Sequence, residues 1–251
     1  MKKFNNFYKR LLAYAFDFLL IQLFVSILVD SSVINFQYND YSKTYKEYEE
    51  LYEEYYKYKD IDIKDCTDLT KQINDKKIKV DDIITAYSEI SDEEECNILV
   101  NNINSKKINE EELNKKSGKL YYKIQRLSTF KYIVIIIVTY LYLVLFQGYT
   151  KGKTLGKKLM RVRVVSNNKK SVSYKQLAIR TVFLGNVIYY LFSASLPWII
   201  NQEVFIRIGN GLYLMNTLFY VVMIIFAYSN KDMVGIHDII AKTKVLIEER
   251  K

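Results

Sequence analysis

The chain has 251 residues, 26% of them charged, and a formal net charge of +9, an average that looks soluble but hides a sharp segregation along its length. Four apolar runs, 11–29, 130–149, 177–200 and 212–228, exclude an ordinary soluble domain, because each approaches the length of a membrane-crossing helix. The basic residues flank those runs instead of forming one basic domain, which argues against nucleic-acid binding, and two cysteines with one remote histidine, His237, do not make a metal site.

MKKFNNFYKR followed by the first run resembles a secretory leader, but the run is longer than a leader's apolar core, carries Asp17 and lacks a small-x-small cleavage site. It reads as a retained helix, about 28 Å long at ~1.5 Å per residue. Asp17 lies seven residues after Arg10, on the same helical face two turns on. A carboxylate at that depth costs several kcal/mol unless partnered. Asp17 therefore either locks helices together through a cation or lies on an ion or proton path.

Lys2, Lys3, Lys9 and Arg10 precede the first run, and 151–180 carries ten Lys/Arg and no acid, so both segments belong in the cytoplasm. Between them, 30–129 holds 22 Asp/Glu against 16 Lys/Arg, and in 201–211 Glu203 balances Arg207; both belong outside. Both termini are then cytoplasmic, in the cell membrane. The expected division is 1–34 as tail and first helix, 35–129 as an extracytoplasmic insert, and 130–251 as the remaining three helices with a basic loop and tail.

The insert is too long for a plain connection. Tyr41, Tyr45, Tyr48, Tyr52 and Tyr55 recur at 4-3-4-3 spacing and predict an amphipathic helix whose tyrosines pack within the insert. CTDLTKQINDKKIKVDDI from Cys66 then aligns without gaps on CNILVNNINSKKINEEEL from Cys96, with seven identities in 18 columns at a spacing of 30. This predicts a tandem helix-turn-helix unit, with helix starts at Asn109 and Ser91, each followed three residues on by a glutamate. Equivalent positions on stacked helices are taken to lie ~8–10 Å apart, beyond disulfide reach, so Cys66 and Cys96 are expected as free thiols.

The G-K-T of QGYTKGKTLGKK fails as a phosphate loop: Gly148 and Gly152 enclose three residues where four are needed, and a span precedes it instead of a buried strand. Alternation over 159–165, a turn at SNNKK and a return at SVSY predict a small cytoplasmic β-hairpin, to which 242–247 could add a strand. The fold class is thus all-α membrane protein: four transmembrane helices, a helical extracytoplasmic insert and a small cytoplasmic hairpin.

YKRLLAYAFDFLLI with Arg10 and Asp17, GKTLGKKLMRVRVV, and GIHDIIAKTKVL with Asp238 together resemble the RDD family of multi-pass membrane proteins. The resemblance implies that Arg10, Asp17 and Asp238 are the arginine and two aspartates of the family name, and that ions or small ligands are transported. It does not extend to 35–129.

Asp17, Arg10, Asp238 and Arg180 are the candidate transport or ion-pair residues, with Arg180 the expected partner of Asp17 if the role is structural. Gln22, Ser26 and Asn186 would make the polar track if a cation or proton reaches Asp17. Two readings stand: passage of a small cation or proton through Asp17, or a membrane accessory protein whose insert binds a protein partner or the cell wall. No catalytic constellation and no cofactor-binding pattern appears, so no enzyme is expected.

Overall fold

The computed structural model describes residues 2–30, 37–75, 77–78, 80–168, 171–230 and 234–248, with the side chains of 2–6 and 210 left aside. The chain divides into two compact units, Met1–Tyr41 with Ile124–Lys251, and Ser42–Lys123.

In the first unit, α1 (Lys2–Val29) carries Arg10 and Asp17. A second apolar stretch runs as α7 (Thr129–Tyr140), a π-helical turn (Leu141–Phe146) and α8 (Gln147–Tyr149). After a short helix, α9 (Leu155–Leu159), the chain forms strand β1 (Val162–Ser166) and then α10 (Tyr174–Leu184) and α11 (Val187–Ile199). Helix α12 (Gln202–Ser229), a short α13 (Ile236–Ala241) and β2 (Thr243–Ile247) complete the unit. Among the described residues three helical segments are long and apolar enough to cross a membrane: Phe7–Val29, Gln202–Ser229 and one within Glu110–Tyr149. There are up to four if α10 and α11, bent by 62°, count as one span.

The bend has a local cause. Asn186 sits at φ 59°, in the left-handed region, and its Gly185 neighbour lies so close to α7 that a β-carbon would meet the Thr139 methyl at 2.6 Å. Helix α1 packs on α7 and α9, and α11 on α7. At the far end of α11, Trp198 donates to Thr129 Oγ1 at 2.8 Å and the Arg126 guanidinium stacks 4.1 Å over its ring, an anchor suited to a membrane interface.

Two expectations change here. The strand partner of β1 is not the SVSY return but β2, antiparallel, pairing Val162 with Ile247 through Ser166 with Thr243. Among the described residues there is therefore no local hairpin: Ser173 instead caps α10 in a reciprocal capping box with Gln176, which holds that segment as a helix start. The segment 201–211, expected as a connection between two apolar runs, is helix from Gln202 on, because the Asn201 side chain accepts from Val204 N and Glu203 stands in the first turn of α12, where an acid is favoured.

The second unit is helical: most of α2 (Tyr38–Tyr58), then α3 (Cys66–Asn74), α4 (Asp81–Ser88), α5 (Glu93–Lys106) and the first part of α6 (Glu110–Leu127). The repeat corresponds to two helix pairs, α3–α4 and α5–α6. Their core gathers Tyr58, Ile63, Leu69, Ile83, Val100 and Ile103. The tyrosine stripe of α2 is only half-buried; the Tyr48 and Tyr52 rings meet at a tilt with centroids 5.0 Å apart, and burial with the neighbouring Tyr52 and Tyr121 pushes the Tyr48 hydroxyl up to about 12. Asn109 accepts from Glu112 N at 2.7 Å, as its helix-start role requires. The cap of α5 is one residue later than expected: Asp92 accepts from Glu95 N, and Ser91 donates to the Glu95 carboxylate.

Cys66 and Cys96 form a disulfide, contrary to the free thiols expected, with Cα atoms 5.7 Å apart. The expectation confused two lengths. Helix axes lie ~8–10 Å apart, but each Cα sits about 2.3 Å off its axis, so facing Cα atoms can approach to roughly 3.5–5.5 Å. Bridging residues 30 apart should contribute about 3–4 kcal/mol. We expect Cys66→Ser/Cys96→Ser to lower the midpoint of insert unfolding by several degrees in a tyrosine-fluorescence melt; an unchanged midpoint would mean that the helical core alone carries the unit.

Candidate functional site

Asp17 is 1% exposed, and four donors surround its carboxylate. Tyr142, on the π-helical turn, donates its hydroxyl to Oδ1 at 2.7 Å, and Gly156 N donates to the same oxygen at 2.9 Å. Thr154 Oγ1 donates to Oδ2, and Lys157 Nζ lies 3.3 Å from it. Tyr142 is itself fixed from behind, since its oxygen accepts from Leu155 N at 3.0 Å.

The loop that fails as a phosphate cradle thus holds an anion after all, the chain's own carboxylate. Thr154 caps α9, which turns the Gly156 amide toward α1. Gly156 has no room for a side chain: a β-carbon would stand 2.3 Å from the Ala13 carbonyl oxygen and 2.8 Å from Asp17 Oδ1. Lys157 is buried, and that burial pulls its ammonium down to about 8, against the opposing pull of Asp17.

A second ion pair lies on the C-terminal segment. Arg180, 5% exposed, places Nη1 3.3 Å from Asp238 Oδ1, and Thr243 donates to the same oxygen at 2.8 Å. His237 Nε2 is 3.3 Å from Asp238 Oδ2 and 3.4 Å from Arg180 Nη2. Burial would raise the Asp238 carboxyl, but Arg180, His237 and Thr243 outweigh it and hold the group well below the usual carboxylate range. Burial, with Arg180 and Lys157 nearby, lowers His237 although Asp238 pulls the other way. Arg10 donates to the Val245 carbonyl at 2.6 Å and so ties β2 to the start of α1.

The partners are therefore exchanged relative to expectation: Asp17 pairs with Lys157, and Arg180 pairs with Asp238. Arg10, Asp17, Asp238 and Arg180 do gather in one unit, but around two separate carboxylates. Lys157, Thr154, Tyr142 and Gly156 escaped sequence reasoning. The usable signal was the G-K-T-L-G-K run, whose anion was sought outside the chain.

Two cavities flank these pairs. One, of about 160 Å³, is bordered by Arg10, Lys157, Arg180, His237 and Asp238 at its polar end. The other, of about 410 Å³, is bordered by Asp17, Gln22, Asn186, Tyr190 and Asn216. Of the expected polar track, Gln22 and Asn186 line this second space, whereas Ser26 donates to Asp30 at 2.6 Å. Tyr14 and Tyr220 border both cavities, and both donate to the Leu184 carbonyl, which the helix break after Leu184 leaves without its usual intrahelical partner.

Gly156→Ala should cost roughly 1–3 kcal/mol through overpacking against a backbone oxygen that cannot retreat. A detergent melt of the purified protein should show the loss, and a variant as stable as the parent would mean that α9 does not seat against α1.

No curated protein and no solved structure matches this chain. The family model described as the RDD family matches residues 99–242, which begin inside the insert, beyond the extent expected, and include Lys157, Arg180 and Asp238 but not Arg10 or Asp17. That is more than half of the 251 residues, and with its membrane-length apolar helices the chain belongs to the RDD family of membrane proteins.

Proposed function

We propose that the protein moves or gates a proton or small cation across the cell membrane through the Asp17–Lys157 pair. One observation carries this reading: Asp17 borders the amide-lined cavity, Lys157 borders the basic one, and the two groups are 3.3 Å apart. A charge passing between the cavities meets that pair. Lys157 suits the task because its ammonium, pulled down to about 8, exchanges a proton near physiological pH, which an ordinary lysine does not. Asp17 then serves as the intramembrane acceptor, and Tyr142 and Thr154 hold it in place.

The orientation belongs to the same proposal. The basic 151–180 loop and both termini face the cytoplasm, and the acidic insert lies outside, where a disulfide such as Cys66–Cys96 persists. A second reading, an accessory protein whose insert binds a protein partner or the wall, draws on that unit having its own core and its own cross-link.

Proteoliposomes under a pH gradient test the proposal, with a fluorescent reporter of lumenal pH. We expect measurable flux in the full chain, at least a tenfold loss in Asp17→Asn, and the same loss in Lys157→Arg, which keeps the positive charge but does not release its proton. Wild-type flux in Lys157→Arg would remove the lysine from the path. No flux of protons or alkali cations in the full chain would leave the accessory reading.

A further inference from the structure

The basic cavity carries more than a proton path requires. Its lining brings Arg10, Arg180 and Lys157 to one end, together with one carboxylate, Asp238, which already engages Arg180, His237 and Thr243. The same lining includes apolar side chains from α1 and α12, among them Leu11, Met223, Ile224 and Ala227. Arg180 Nη1 faces Asp238 and Nη2 faces His237, but Nε, buried, has no acceptor among the described residues, and neither has His237 Nδ1. A buried donor without an acceptor is costly, and a bound oxyanion would supply one.

We propose that this cavity binds a small organic monocarboxylate, its carboxylate at the Arg10 and Arg180 end and its alkyl chain against Leu11, Met223 and Ile224. The volume of about 160 Å³ is the size that admits a benzene-sized guest, so a ligand of about six heavy atoms fits. An organic cation would find no carboxylate to hold it, since Asp238 already pairs with Arg180. A neutral alkane would leave the Arg180 donor without an acceptor. Inorganic phosphate would press its outer oxygens against apolar walls that offer them no hydrogen bond. A monocarboxylate matches both kinds of lining, since an oxygen can accept from Arg180 Nε and the walls accept methylenes.

This site occupies the basic cavity at the Lys157 end of the proposed path, but its ligand does not depend on conduction: a protein that conducts protons yet binds no carboxylate loses this inference alone. The test uses the full chain in phosphatidylcholine nanodiscs, with calorimetric titration and thermal melts against butyrate, acetate, butylammonium and phosphate. We expect saturable stabilisation by butyrate, binding roughly tenfold tighter than acetate because two more methylenes are buried, and no effect of butylammonium or phosphate. Ala227→Phe fills the apolar end without touching a charge and should weaken butyrate at least tenfold, and Arg180→Lys should do the same from the polar end. The proposal is overturned if the wild-type protein binds no carboxylate, if Ala227→Phe binds butyrate as the parent does, or if phosphatidylglycerol stabilises the protein while no carboxylate does.

Discussion

A buried carboxylate needs its charge answered where it stands, and Asp17 obtains the answer from outside its own helix. The donors come from two further pieces of chain, Tyr142 on the second apolar stretch and Thr154, Gly156 and Lys157 on the loop that follows it. Satisfying one acid thus draws α1, the π-helical turn and α9 to a common point. The π turn fits this role, since such local widening recurs where a side chain must be aimed at a site. It sets Tyr142 against Asp17 while Leu143 and Val144 remain buried beneath it.

From that point the rest of the unit follows. With α9 seated, β1 emerges beside α1, and the cluster of Ala13, Val144, Val162, Val164 and Leu177 closes over it. Strand β2 pairs with β1 and is held again by Arg10, which brings α13 and Asp238 to Arg180. The two ion pairs are linked electrostatically, because Lys157 feels both Arg180 and Asp238 as well as Asp17. In a low-dielectric setting such pairs are strongly interdependent, and removing one member leaves the other costly. The helix break at Gly185 and Asn186 adds the last element, a carbonyl that collects Tyr14 and Tyr220 at the boundary of the two cavities.

Much of this was legible in the residues. Hydropathy marks the apolar helices, the spacing of 30 marks the paired helices of the insert, Asp17 announces itself by its cost in an apolar run, and the family resemblance points to Arg10 and Asp238. What was not legible is what depends on distance in space. Lys157 is one of ten Lys/Arg in a basic stretch, and charge counting reads that stretch only as a topology signal. Strand β2 was expected at 242–247 only as an addition to a hairpin, because it lies some eighty residues beyond β1 and a local argument does not make it β1's partner. The disulfide was hidden by taking an interaxial spacing for a Cα separation. Asn186 gave no sign of its left-handed conformation beyond following a glycine.

The central claim is that Asp17 and Lys157 act as a single buried pair, and a double-mutant cycle on folding stability tests it most directly. Asp17→Asn strands an ammonium and Lys157→Gln strands a carboxylate, whereas the double variant strands neither. Chemical denaturation of the four proteins in the same detergent should give a coupling of at least about 1–3 kcal/mol, with the double variant more stable than the sum of the single losses predicts. Additive losses would mean that the two charges do not answer each other, and the account built on their pairing would fail.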